Sequence, residues 1–157
     1  MEEYEKSLQE AMRNLQIADH MTYLTYPLIN EKRILLKIFD EIYKVVKNSV
    51  RAVLYFEASL KLVEVFNDED MNLHNFVTKF SKNYDFNEKQ LNLLLEIYEL
   101  NKIHEDSAME FVKKDKMVIM TDNLGLKTLD IVKIKEYLTF SKEFLRKVNA
   151  RLKSDKN

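Results

Sequence analysis

One glycine, Gly125, and one proline, Pro27, leave this chain of 157 residues almost no punctuation. Both residues mark turns and loops, so a chain nearly free of them is built from few, long, regular elements. The spacing of its apolar residues says that most of these elements are helices. The length suits one domain, residues 1–157, which would bury roughly 70% of its unfolded surface.

The first helix is predicted from about Glu2 to Tyr23, where Tyr4, Leu8, Ala11, Leu15 and Ala18 line one face. Pro27 disfavours helical geometry at Tyr26 and should stop it. Asn30 then reads as an N-cap, with Ile29 and Ile34 at hydrophobic-staple spacing. From Glu31 to Phe66 no breaker appears, which would give a helix about 54 Å long. A compact domain of this size is only about 40 Å across, so an elongated body or a bend at Lys47-Asn48-Ser49 is expected. Arg33, Lys37, Asp40, Lys44, Lys47 and Arg51 mark its solvent face, whereas "VRAVLYFEA" is apolar nearly all round and should lie at the centre of the fold.

A shorter helix is predicted from about Asp70 to Asn83. "FNEKQL" then combines an Asn87/Gln90 capping box with a Phe86/Leu91 staple, opening a helix to about Asp106. "KMVIMT" and "LKTL" favour strand and are joined by "DNLG", where Gly125 would supply a positive φ. Asp130 caps a last helix, on which Ile131, Ile134, Leu138, Ser141, Leu145, Val148 and Leu152 keep heptad spacing. The expected fold is therefore all-α: an elongated antiparallel bundle of about five helices, with one small β-hairpin before the last.

Several chemistries are excluded. Without cysteine there are no disulfides, thiolate metal sites or cysteine nucleophiles. Ile17, Met71 and Asn101 stand three residues before the three histidines, so the Glu-x-x-His pairs of di-iron bundles are missing. There is no HExxH, no Gly-rich phosphate loop and no Gly-flanked serine. No metal or cofactor is expected. The longest uncharged stretch, "HMTYLTYPLIN", is too short and polar to span a bilayer, and the acidic N-terminus is unlike a signal peptide. The expectation is a soluble, cytoplasmic protein.

Arg13 and His20, seven apart on one helical face, are the candidate catalytic residues. An Arg-x4-6-His pattern occurs in some helical, metal-independent ribonucleases, where the histidine serves as general acid or base and the arginine stabilises phosphate charge. The alternative is a surface arginine and a helix-end histidine. His104, closing its helix on an apolar stripe, suits a structural role beside the helix dipole, and His74 should be exposed. Tyr23 and Tyr26 could stack bases or close off a bundle end.

Residues 131–157 hold eight Lys and Arg against three acids, and "FVKKDK" adds three lysines before the hairpin. Lys113, Lys114, Lys116, Arg146, Lys147 and Arg151 are the candidate RNA-contacting residues, forming one basic end if the two segments meet. The alternative is a solvated helix face. The 116–129 hairpin is apolar on both faces and has open edges, which makes Met117, Ile119 and Met120 candidates for an interface with a protein partner or a second copy.

"ADHMTYLTYPLINEKRILLKIFDEIYKVV" and "HEDSAMEFVKKDKMVIMTDNLGLKTLDIVKIKEYL" resemble a group of short archaeal proteins of unassigned function. That group in turn resembles the HEPN class of helical bundles, which includes toxin ribonucleases and non-catalytic RNA- or protein-binding modules. HEPN ribonucleases carry their Arg-x4-6-His late in the bundle, whereas Arg13 and His20 lie in the first helix and no histidine follows Arg146 or Arg151. The expected function is a non-enzymatic module contacting RNA, a ribonucleoprotein or a protein partner. The alternatives are a HEPN-type ribonuclease, as one half of a toxin–antitoxin pair, and a structural homo-oligomer.

Overall fold

A computed structural model describes residues 1–156. The chain is mostly helical and carries a small three-stranded antiparallel sheet. Helix α1 (Glu3–His20) starts where the Glu2 amide donates to Glu5 Oε2 at 3.2 Å. Pro27 does not stop it. The helix widens into a π-helical turn, Met21–Thr25, and continues as α2 (Tyr26–Ile29) with Tyr26 still helical. Proline lacks an amide hydrogen and crowds the carbonyl four residues back, and a π turn next to it shifts that ladder.

Asn30 is a C-cap, not the expected N-cap. Its φ is 54° and its amide reaches Tyr26 O at 2.7 Å, the left-handed ending that asparagine tolerates. Helix α3 (Ile34–Ser59) stays helical through Lys47–Ser49, and at 26 residues, about 39 Å, it is short enough that the domain's size no longer demands a bend. It is shorter than expected because Lys61 turns left-handed at φ 61°, while Leu62 N–H reaches back to Glu57 O at 3.1 Å. Beyond it, buried Asn72 clamps Phe66, donating to its carbonyl at 2.8 Å and accepting from its amide at 2.9 Å.

Helix α4 (Glu69–Asn75) is capped by the Asp68 side chain and runs into a π turn, Phe76–Phe80, short of the expected end at Asn83. Thr78 and Ser81 hydroxyls bond to the carbonyls of His74 and Val77, both at 2.8 Å, a pairing that competes with the regular ladder. Helix α5 (Glu88–Glu105) opens on the expected capping box, Gln90 N to Asn87 Oδ1 at 2.8 Å and Asn87 N to Gln90 Oε1 at 3.0 Å.

The expected hairpin is part of a sheet. Strands β2 (Lys116–Met120) and β3 (Leu126–Leu129) fall where their sequences point, but β1 (Met109–Lys113) pairs along the other side of β2. The edges of β2 are thus both occupied. The positive φ of the β2–β3 loop is at Leu124, 65°, and not at Gly125. Gly125 answers a close approach instead, since a Cβ there would lie 2.9 Å from Thr121 Oγ1. Helix α6 (Ile131–Lys156) begins at Asp130, whose carboxylate accepts from Lys133 N at 2.9 Å.

The core centres on α3, which packs against α1, α4, α5 and α6. Val50, Ala52, Val53 and Leu54 of the apolar girdle are fully buried, as are Ile134, Ser141 and Val148 of the α6 heptad stripe. Buried Asn14 fixes the register of α1 on α3: it donates to Glu41 and accepts from Asn48, both at 3.0 Å. Among the described residues, no helix is long and apolar enough to cross a membrane.

Candidate functional site

Alternation along β2 divides the sheet into two faces. Met117 and Ile119 point inward and are fully buried in the core beside Leu129. These two interface candidates are therefore corrected, because their apolar surface is already covered by the chain itself. Met120, the third, points outward and is half-buried. It stands in a row with Met109 on β1 and Leu126 on β3, which are 55% and 57% exposed. The next row on the same side is half-buried Phe111, buried Val118 and exposed Thr128, and the last is the exposed Lys113–Lys116 pair.

That register makes a face graded from apolar to basic. Lys114 sits in the β1–β2 turn at φ 57°. Among the described residues, Lys113, Lys114 and Lys116 enter no ion pair. They do not meet the other candidate cations in one basic end. Met117 pairs with Leu129, which puts the lysine turn beside the first turn of α6. Arg146 is fifteen residues further on, about 22 Å along the helix axis. Arg146 is bound to Glu143, while Lys147 donates to Asp85 O and Gln90 Oε1 and covers the Phe86 ring. Arg151 is exposed on the last turns of α6 and also has an interaction partner.

Arg13 and His20 lie exposed on α1, and Arg13 faces Glu10 at 3.6 Å. Of the tyrosines thought to close a bundle end, Tyr26 is buried as such a role requires. Tyr23 is not: its ring lies exposed beneath Lys135 and Lys142, 5.5 and 5.6 Å away.

His104 is held more firmly than its helix-end position suggests. Its Nε2 meets Asp40 of α3 at 3.1 Å, and its Nδ1 meets Glu110 of β1. The hydrogen bond to Asp40 is the main cause that raises its pKa, to about 9; burial opposes the rise and Glu110 adds to it. Such an imidazole is a cation at neutral pH, with both nitrogens donating, and is no general base. It ties the sheet to α3 and α5. Asp40 and Arg51, read as part of a solvent stripe, both make tertiary ion pairs, Arg51 with Glu69.

A second polar cluster was not legible in the sequence. Tyr43 and Lys47 of α3, Glu69 and Asp70 of α4, and Tyr98, Lys102 and Glu105 of α5 line a cleft of about 240 Å³, with the Lys47 ammonium over the Tyr43 ring. In the sequence Tyr98 continues the apolar spacing of Leu91, Leu94 and Leu95, and only Tyr43 and Arg51, two turns apart, hint at a shared face.

No family model, no curated protein and no solved structure matches this chain.

Proposed function

We propose that the protein is a non-enzymatic module that binds single-stranded RNA, with its helices standing as an antiparallel bundle behind the sheet. The observation that supports this reading is the outward side of the sheet, where half-buried Phe111 lies between exposed Met109 and Leu126 and the exposed lysines at positions 113, 114 and 116. An aromatic ring offers a platform for an unstacked base, and neighbouring lysines attract the phosphates on either side of it. Within the HEPN-like resemblance this corresponds to the non-catalytic members. The ribonuclease alternative gains no support from Arg13, whose guanidinium faces Glu10.

Fluorescence anisotropy with a labelled single-stranded RNA tests the reading across a salt series. Three phosphate contacts predict a log–log salt slope of about −2. The triple reversal Lys113→Glu, Lys114→Glu, Lys116→Glu should abolish binding, and Phe111→Ala should weaken it at every salt concentration. Binding that ignores both variants would remove the proposal. A protein that ignores RNA yet self-associates, and loses that on Met109→Lys, would move the same surface to the homo-oligomer reading.

A further inference from the structure

Strand β3 forms one border of the sheet, and its outer edge is open. The Thr121 amide donates to Gly125 O at 2.8 Å, which fixes which residues of the ladder bond in pairs. By the alternation of antiparallel strands, Lys127 and Leu129 turn their backbone groups to β2, opposite Ile119 and Met117. Leu126 and Thr128, both exposed, turn theirs away. No strand lies on that side, and among the described residues no group of the chain bonds the amide or carbonyl of either.

A groove runs beside this edge, between β3 and α5. Two cavities of about 210 and about 510 Å³ share Glu99 and Ile103 and so follow one another along it. In the first, Leu100, half-buried Ile103 and Tyr137 make an apolar floor beside Lys127 and Thr128. Lys127 and Thr128 leave opposite faces of their strand, so a cavity lined by both reaches around its edge. The second cavity lies at the β2–β3 loop and is lined by Asp106 and Asp122.

Charge selects the occupant. Lys133 and Lys102 of the groove are already taken, by Glu96 at 2.8 Å and by Asp70 at 2.7 Å. Among the described residues, exposed Glu99, Asp106 and Asp122 enter no ion pair, and only Lys127 is left to oppose them. Nucleic-acid phosphates would be repelled. An extended peptide fits an open strand edge, because its own amides and carbonyls complete the ladder. A second copy of β3 does not fit: pairing through Leu126 and Thr128 of both copies would set Lys127 directly against Lys127.

We infer that the β3 edge and its groove bind an extended basic peptide by strand addition. The peptide residue opposite Lys127 is apolar and points to the floor of the groove. Two places along, opposite Gly125, a Lys or Arg reaches Asp106 and Asp122. The opposite border of the sheet, β1, carries Phe111 and Lys113, so this site does not rest on the RNA reading.

A positional-scanning library of short peptides, applied to the full chain, tests the inference. Selected peptides should carry Lys or Arg two places from Val, Ile or Leu. Fluorescence anisotropy with the best of them should show saturable binding that weakens with salt. N-methylation of the alternate peptide residues that bond Leu126 and Thr128 should abolish binding of that peptide to the unaltered protein, whereas methylation of the residue between them should not. Thr128→Pro removes an amide that β2 does not use, and an edge strand tolerates proline there. That variant should melt like the wild type and bind about tenfold or more weakly. The double reversal Asp106→Lys, Asp122→Lys should weaken binding about fivefold or more. Should Thr128→Pro unfold the chain, the methylated peptides and the double reversal still decide. The inference is overturned if no basic peptide is selected, if binding survives methylation at every residue, or if the double reversal leaves it unchanged. Self-association of the chain that Thr128→Pro disperses would give the edge to a second copy and overturn it as well.

Discussion

Raising the pH through about 9 should loosen the sheet from the helices by discharging His104, whose pKa is raised to that value. In the unfolded chain this imidazole loses its proton near its ordinary pKa of 6.5, whereas in the fold it keeps the proton to about 9. Between those values the folded state binds more protons, so stability falls as pH rises. The contribution is complete below 6.5 and gone above 9. Taken at face value, the rise corresponds to roughly 3 kcal/mol. Asp40, the partner with the largest effect, is 46% exposed, and screening by water reduces the expectation to about 1–2 kcal/mol. Urea unfolding of the wild type and of His104→Gln, at about pH 6 and about pH 10, isolates this term because the other titrating groups cancel in the difference. The wild type's advantage should shrink by that amount at the higher pH. Amide exchange in β1 should speed up in step, since Glu110 then loses its charged partner. An imidazole NMR titration with its midpoint near 6.5, or an advantage that does not change with pH, would refute the reasoning.

Three further outcomes follow from the packing. Ile119→Lys puts an unpaired charge at a fully buried site, so it should cost at least about 3 kcal/mol and lower the melting temperature at every protein concentration. Weaker self-association at an unchanged melting temperature would instead restore Ile119 as an interface residue. Asn72→Ala removes both bonds to the Phe66 backbone and should cost about 2–3 kcal/mol in urea unfolding. A loss below roughly half a kcal/mol would mean that water replaces the side chain. Leu124→Gly relieves a left-handed φ of 65° on a bulky residue and should raise stability by about 0.5–1 kcal/mol, read from the same unfolding curves. A destabilised variant would mean that the exposed leucine side chain packs in a way its φ does not reveal.

Features whose signals are local can be read from the order of the residues alone. The Asn87/Gln90 capping box, the Asp130 cap, the two strands on either side of "DNLG", the α6 heptad and the apolar girdle of α3 can all be read within a few residues of themselves. Their physics is a backbone amide meeting a nearby side chain, or apolar side chains falling on one face. Tertiary structure decided the rest, because the deciding partner lies far along the chain. Strand β1 has little alternation of its own and exists by pairing with β2. Asn30, Lys61 and Leu124 take left-handed conformations that no glycine advertises, so their turns were read at the wrong residue or missed. His104 became a held cation only because Asp40 and Glu110 converge on it from α3 and β1. Tyr98 and Glu69 are twenty-nine positions apart and line one cleft only because α4 and α5 both pack on α3. A carboxylate's effect on a histidine or a tyrosine depends on distance in space and on the removal of water, and neither is written in the order of the residues.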